Sequence, residues 1–175
     1  MKLDIGCGPN KKYGFVGMDQ YDLPGVDIVH DVRYRPWPIA EGTVGEIHCS
    51  HFLEHLTGTE RTGFFNELYR VMRKCAKGTI ITPHWASNRA YGDPTHQWPP
   101  VAEMTYMYLS AEWRTSQTIH TDKSINPLGY DCDFEVSWGY ALHPSILTRN
   151  EEYRQFAMAN YKEAAQDLWA TITRK

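Results

Sequence analysis

Leu3-Asp4-Ile5-Gly6-Cys7-Gly8-Pro9 is the stretch from which the rest of the chain can be read. Residues 2–5 read as a short buried strand, and two glycines at a spacing of two follow its end. Glycine reaches φ > 0 at little steric cost and lets a ligand come close to the backbone. A strand that runs into such a turn is how an open α/β sheet presents its first ligand-binding loop. A lone GxG occurs in many proteins, so its weight comes from what lies downstream. Gly14-Phe15-Val16-Gly17-Met18-Asp19 reads as a second strand ending on an acid, and residues 26–30 read as a third that ends at Asp31. Three acids, Asp4, Asp19 and Asp31, thus stand at three successive strand ends.

Further along, Arg35-Pro36-Trp37-Pro38 breaks regular structure. Residues 46–49 read as a fourth strand leading into Ser50-His51-Phe52-Leu53-Glu54-His55-Leu56. Residues 59–74 read as an amphipathic helix, with Phe64, Phe65, Leu68, Val71 and Met72 on one face and Arg61, Glu67, Arg70 and Arg73 on the other. Residues 78–82 read as a fifth strand, stopped by Pro83. This order predicts an α/β domain with a mainly parallel sheet. The second half is less regular. Residues 84–100 read as a loop rich in Trp, Pro, Asp and His, and residues 102–109 as a short helix. Residues 114–120 and 133–141 read as strands, an antiparallel pair closing the sheet. Asn150 is a plausible N-cap, with Glu151 and Glu152 suited to the positive helix end. From Tyr153 through Phe156, Ala157, Ala164 and Leu168 to Ile172 the apolar positions read as a helical stripe. No internal repeat or low-complexity linker interrupts the chain.

The 175 residues suffice for one domain with a substantial core. Hydrophobic residues make up 42% and charged residues 22%, the balance of a soluble globular protein. The net charge of −3 gives no general attraction to nucleic acid. Apolar runs fall far short of a membrane span, and no signal-like segment is read at Met1. Cys7, Cys49, Cys75 and Cys132 are scattered with no CxxC pair, which suits reduced thiols in a cytoplasmic protein. Trp37, Trp85 and Trp98 fit either core packing or stacking on a flat ligand.

The run from Leu3 to Gly8, with Asp19, Asp31 and Ser50-His51-Phe52-Leu53-Glu54-His55-Leu56, resembles the class I S-adenosylmethionine-dependent methyltransferases. It is most similar to small members with a Leu-Glu-His signature after the fourth strand. The resemblance covers roughly residues 2 to 83, and Gly92-Asp93-Pro94-Thr95-His96 also resembles a loop of some small members. It implies a single Rossmann-like domain over residues 1–175. In that domain a cofactor-binding half at 1–83 would be followed by a substrate-side loop, closing strands and a C-terminal helix at 84–175. It also implies S-adenosyl-L-methionine as cofactor. Asp4, Gly6, Cys7, Gly8 and Asn10 would then surround the methionine portion. Asp19, with Gln20 beside it, would accept hydrogen bonds from the ribose hydroxyls, which are charge-assisted when the carboxylate is ionised. Asp31 and the Val32 backbone would receive the adenine, and Ser50 and His51 would close the pocket near the sulfonium. Asp19 and Asp31 equally fit turn caps.

Dinucleotide-binding folds leave about twenty residues between the glycine turn and the ribose acid, room for a helix. Here Asp19 follows Gly8 too closely for that, so the first crossover helix is expected to be missing or reduced to a turn. The chain starts at its first strand, so the N-terminal helices that cover the substrate in larger relatives are not expected either. The pocket should then be open unless the 84–100 loop, a partner or a homodimer mate covers it.

His51-Phe52-Leu53-Glu54-His55 also matches the HxxEH pattern of inverted zinc peptidases. On a helix His51 and His55 would share a face at i, i+4 and hold zinc, with Glu54 as base. Those enzymes need a third ligand on a separate helix, and Gly58 cuts this segment short, so no metal ligand set is assigned. Some quinone-biosynthesis methyltransferases carry acidic residues and a His in this segment and bind a divalent ion, and Glu54 and His55 match part of that pattern.

The expected reaction is in-line methyl transfer to a small-molecule or nucleotide-like acceptor. His51, His84, Asp93 and His96 are the candidate catalytic groups, with His55 a further candidate base. Asp93 and His96 fit either a catalytic pair across Pro94 or hydrogen bonds that only order the loop. The Asn-Pro-Pro-Tyr motif of adenine and amino methylation and the Pro-Cys motif of cytosine carbon methylation are absent; with the acidic net charge and the short apolar runs, neither duplex nucleic acid nor a membrane is an expected partner. Two alternatives stand beside this reading. One is a binding module that keeps the cofactor fold without turnover and serves a protein partner. The other is a metal-dependent hydrolase using His51, Glu54 and His55.

Overall fold

The structure is a computed structural model and describes residues 1–117 and 129–175. Its centre is one seven-stranded sheet in the order β3-β2-β1-β4-β5-β7-β6. Strands β1 (Lys2–Ile5), β2 (Val16–Asp19), β3 (Ile28–Val29), β4 (Val44–Ser50) and β5 (Met72–Pro83) are parallel. β7 (Ala165–Arg174) runs antiparallel to β5, and β6 (Phe134–Leu142) antiparallel to β7. The strand order reverses between β1 and β4, and ligands of open α/β sheets bind beyond the carboxyl ends of the strands at such a point. The mainly parallel sheet with an antiparallel carboxy-terminal end agrees with the Rossmann-like expectation.

Register explains why the strands alternate in sequence. One row across the sheet joins Leu3, Ile47, Gly78, Ile172 and Val136. Two residues on, the row is Met18, Ile5, Cys49, Ile80, Ala170 and Trp138. Between them lies the row Gly17, Asp4, His48, Thr79, Thr171 and Ser137. Side chains of alternate rows point to opposite faces, so one face is apolar and the other polar. The apolar face carries the main core, with Leu3, Ile5, Met18, Ile47, Cys49, Ile80, Ala170 and Ile172 in one cluster with Phe64, Phe65 and Leu68 of the first helix. No residue of the polar row belongs to that cluster.

The short connections account for this asymmetry. Parallel pairs are normally joined by a dozen or more residues, usually a helix that covers the sheet. Residues 6–15 contain no helix, as expected from the spacing of Gly8 and Asp19, and neither do residues 20–27. The face that lacks helices here is polar, and two charged pairs lie on it. His48 Nδ1 lies 2.7 Å from Asp4 Oδ1, and Lys2 Nζ lies 2.6 Å from Glu46 Oε2.

α1 (Gly58–Val71) covers the apolar face and starts at a capping box. The Thr57 side chain accepts from the Glu60 backbone, while Glu60 Oε2 accepts from the Thr57 backbone N–H at 2.7 Å. Phe64 packs on Trp37 and Phe65 on Tyr106, with ring centroids 5.6 and 6.2 Å apart. The Trp37 segment is fixed beneath α1 by two hydrogen bonds. Its backbone N–H donates to Glu67 Oε2 at 2.8 Å, and its indole Nε1 donates to the Val32 carbonyl at 2.9 Å.

Three sequence expectations need correction. The helix expected at 59–74 stops at Val71, because Met72 already pairs with Val44 and begins a longer β5. The strand expected at 114–120 is not formed: Ala111–Ser116 is a helix (α3) capped by Ser110, and residues 118–120 lie outside the described residues. It follows α2 (Glu103–Met107), where a short helix is expected. The helical stripe running to Ile172, and with it the C-terminal helix, is two elements. After a short α4 (Pro144–Leu147), Asn150 caps α5 (Glu151–Asn160), and the chain then enters β7. Ala164, Leu168 and Ile172 are spaced by four, a spacing shared by helix and strand periods. The antiparallel pair closing the sheet is thus β6–β7. No described helix is long and apolar enough to cross a membrane.

Removing the α1 cap with Thr57→Ala is expected to lower stability by about 1 kcal/mol without changing the fold. Urea denaturation followed by circular dichroism would show a lower midpoint at unchanged slope.

Candidate functional site

The carboxyl ends of β1, β2 and β3 meet in a cleft of about 80 Å³ lined by Gly6, Met18, Asp19, Gln20, Asp31, Val32, Arg33, Phe52 and His55. Five of the expected cofactor residues, Gly6, Asp19, Gln20, Asp31 and Val32, are brought together here. Gly6 has φ +66, and its N–H donates to the Met18 carbonyl at 2.8 Å. A Cβ at Gly6 would overlap the Phe52 ring, so only glycine fits this turn against that aromatic wall.

Asp19 shapes the loop as well as the cleft. Its Oδ2 accepts from the Gly8 N–H at 2.9 Å and its Oδ1 from the Tyr21 N–H at 3.1 Å. Each carboxylate oxygen keeps a second lone pair for another donor. Asp31 is engaged from one side by Arg33, whose Nη2 lies 2.6 Å from Asp31 Oδ2 and 3.2 Å from Gln20 Oε1. These Arg33 hydrogen bonds hold the Asp31 carboxyl below its ordinary pKa. Arg33 is half exposed and lies across this end of the cleft.

The other expected cofactor residues sit around the cleft without lining it. Asp4 is buried and takes the Lys12 N–H at 2.7 Å as well as His48, so it braces the 6–15 loop from below. Cys7 turns toward Gly17, and partial burial pushes its thiol pKa up to about 11, so it is a neutral thiol. Gly8 contributes its N–H to Asp19, Asn10 donates its N–H to the Cys7 carbonyl at 3.3 Å, and Ser50 ends β4.

A second, open cavity of about 580 Å³ lies beside the cleft, lined by His51, Glu54, His55, Pro83, Arg89, Gly92, Asp93, Pro94 and His96. It gathers His51, Asp93 and His96 from the expected catalytic set. His55 lines both cavities and is their common wall. His51 has φ +52, and its Nδ1 lies 3.5 Å from Glu54 Oε1, an interaction that raises the His51 pKa. Asp93 accepts from the Thr95 N–H at 2.8 Å and the Thr95 hydroxyl at 2.7 Å. His96 Nε2 is 3.9 Å from Asp93 Oδ2, too far for a hydrogen bond, so loop ordering through Thr95 is the stronger bond of Asp93.

His84 lies elsewhere. It is buried, its Nδ1 accepts from the Ala86 N–H at 3.2 Å, and its Nε2 donates to Glu103 Oε1 at 3.1 Å. Glu103 also accepts from the Tyr140 hydroxyl at 2.9 Å, so His84 ties β5, α2 and β6 together.

The peptidase-like arrangement of His51-Phe52-Leu53-Glu54-His55 is not formed. Leu53–His55 is a single 3₁₀ turn preceded by His51 in the left-handed region, so His51 and His55 do not share a helix face. The segment is held by Arg61 from α1, a buried arginine that donates to the carbonyls of Leu53 at 3.2 Å, Pro99 at 2.6 Å and Gln97 at 3.3 Å. The Gln97 N–H donates to the Glu54 carbonyl at 2.8 Å, which brings the 92–96 loop over His55.

Phe52, Arg33 and Arg89 were not expected in the site. Phe52 could be inferred from its place after a strand end next to a glycine turn. Arg33 and Arg89 carry no sequence signal, since isolated arginines are usual on surfaces.

The chain matches no known family model and no curated protein. Solved structures resemble it over nearly its whole length. A S-adenosylmethionine-dependent methyltransferase from Archaeoglobus fulgidus has 20% identity and a TM-score of 0.66, over 99% of this chain and 85% of its own. One from Methanosarcina mazei has 13% identity and a TM-score of 0.58, over 99% and 91%. Geranyl diphosphate C-methyltransferase from Streptomyces coelicolor A3(2), in complex with Mg²⁺, geranyl diphosphate and S-adenosyl-L-homocysteine, has 14% identity and a TM-score of 0.55, over 99% and 70%. The fold of this chain is therefore the Rossmann-like fold of S-adenosylmethionine-dependent methyltransferases.

The Glu103 network gives a pH prediction. The His84 hydrogen bond lowers the Glu103 pKa from 4.5 to about 2. A depressed carboxyl stabilises the fold fully above its unfolded value and loses that contribution as pH falls from about 4.5 toward 2. Urea midpoints at pH 6, 4 and 3 should fall more steeply for the wild type than for Glu103→Gln, which starts lower at pH 6.

Proposed function

We propose that the protein binds S-adenosyl-L-methionine in the cleft at Asp19 and transfers its methyl group to a small-molecule or nucleotide-like acceptor in the neighbouring open cavity. The observation that carries this reading is the meeting of Gly6, Asp19, Gln20, Asp31 and Val32 at three adjacent strand ends, beside a larger polar cavity. Asp19 offers free lone pairs for the ribose diol, and Asp31 an acceptor for the adenine amino group. The methyltransferase fold and the S-adenosyl-L-homocysteine bound by one of its structural neighbours support the same cofactor.

Methyl transfer is an in-line displacement with a sulfonium already primed to leave, so the protein's main task is orientation, which contributes several kcal/mol. His55 stands between the two cavities, where the methyl group would cross. His51, paired with Glu54 Oε1, is placed to receive a proton from an oxygen or nitrogen nucleophile, a contribution of about 10²–10⁴-fold. The cleft volume of about 80 Å³ is smaller than the cofactor, so entry requires the half-exposed Arg33 side chain to leave Asp31.

Isothermal calorimetry with S-adenosyl-L-methionine and S-adenosyl-L-homocysteine tests this. The expected result is micromolar binding to the wild type, weakened by at least about tenfold in Asp19→Ala, because hydrogen bonds to charged groups contribute about 1.5–3 kcal/mol. No binding of either compound to folded wild-type protein overturns the reading. Arg33→Ala should tighten binding by no more than about fivefold, since exposed ion pairs contribute at most about 1 kcal/mol. A large loss in that variant would instead make Arg33 a cofactor ligand.

A further inference from the structure

The geometry points to a divalent transition-metal site formed by Glu54, His55 and His96 at the rim between the two cavities. One carboxylate and two imidazoles offer ligand atoms that all lie within 4.8 Å of one another. A common ion about 2.1 Å from each donor needs them roughly 3–3.5 Å apart. Closing the remaining distance takes shifts of about 1 Å at the ends of side chains that border an open cavity.

Hydrogen bonding presents the right atoms. The Thr95 hydroxyl proton is committed to Asp93 Oδ1 at 2.7 Å, so Thr95 Oγ1 accepts from His55 Nδ1 at 3.0 Å. The Ala90 carbonyl can only accept, so His96 Nδ1, 3.3 Å away, is also a donor. Nδ1 is thus taken in both rings, which leaves Nε2 of each as the candidate ligand atom. Metal-ligating histidines are held in this way, with the second ring nitrogen donating to an oxygen that fixes tautomer and ring orientation. The rings approach edge to face with centroids 4.8 Å apart.

Glu54 supplies an independent observation. Its residue is only 4% exposed, and its Oε2 is fully buried with no hydrogen-bond partner among the described residues. Its other oxygen, Oε1, faces His51 Nδ1 at 3.5 Å. An unpartnered buried carboxylate oxygen is costly to a fold, and a cation beside it removes that cost. Two nitrogens and one oxygen suit borderline first-row ions rather than Mg²⁺ or Ca²⁺, which prefer all-oxygen shells. Three protein ligands leave positions open toward the 580 Å³ cavity, where the ion would take an oxygen of the methyl acceptor. That last consequence rests on the proposed methyl transfer, whereas metal binding does not.

The test uses the full chain stripped with EDTA. Co²⁺ is titrated while its visible absorption is followed, and Zn²⁺ binding is measured by calorimetry. The expected result is one equivalent bound, with affinity reduced at least tenfold in Glu54→Gln and in His96→Ala and unchanged in His143→Ala, a histidine bonded to Ser145 outside the site. Circular dichroism and thermal melts of each variant, with and without Co²⁺, separate lost ligands from lost folding. The ion should raise the melting temperature of the wild type but not of a folded His96→Gln protein. Binding of less than one equivalent, or binding unaffected by Glu54→Gln and His96→Gln, overturns the site. S-adenosyl-L-homocysteine titrated into the stripped protein reads the cofactor cleft separately, so metal binding without cofactor binding would sink the methyl-transfer reading and leave the ion site standing.

Discussion

The connections between the first three strands are too short to hold helices, and much of the molecule follows from that constraint. A parallel sheet is ordinarily covered on both faces, and its strands then read as continuous apolar runs. Here the strands alternate instead, with Asp4, His48, Thr79 and Thr171 aligned on one face and Ile5, Cys49, Ile80 and Ala170 on the other. Because only one face is apolar, one core suffices, and α1 supplies most of its cover through Phe64, Phe65 and Leu68. The same shortness turns residues 6–15 into a loop that must be braced without a helix. Asp4 and Asp19 do this by accepting from the Lys12 and Gly8 N–H groups.

The opposite side of the site depends on a buried arginine. Arg61 reaches from α1 to three carbonyls in two separate segments, Leu53 in one and Gln97 and Pro99 in the other. Its donors are arranged in a fixed fork, so it sets a geometry that a lysine would not. With the Gln97–Glu54 backbone bond, it fixes the 3₁₀ turn at Leu53–His55 against the 92–96 loop. Glu54, His55 and His96 owe their convergence to that clamp. Glu54 and His55 are neighbours in that turn, whereas His96 comes from a distant loop that no regular element joins to it.

The first half of the chain was largely legible because its signals are local. Strand ends, glycines and acids at 3–8, 19 and 31 lie where a short-range pattern can place them, and the missing crossover helix follows from counting residues. The second half was less so. Ala164, Leu168 and Ile172 satisfy helix and strand periods alike, and β7 forms because β5 and β6 flank it with pairing partners. At the site, the sequence offered His51, His84, Asp93 and His96 on equal terms. Tertiary structure separates them: His84 is drawn into a buried bond with Glu103, while the other three border one cavity. The HxxEH match failed for a local reason, since a left-handed residue at His51 followed by one 3₁₀ turn cannot stack residues four apart.

Two cavities that share one side chain set a condition on any chemistry between them. The cleft behind Gly6 and Phe52 is narrow and lined by Asp19 and Asp31, suited to a flat ligand with hydroxyl and amino donors. Its neighbour is seven times larger and lined by three histidines, two carboxylates and Arg89. His55 is the lining residue that both share. The Thr95 hydroxyl, itself tied to Asp93, fixes the His55 ring by its Nδ1. Loop 92–96 therefore does more than line the larger cavity. Through one hydrogen bond it sets the orientation of the residue at which the two sites meet.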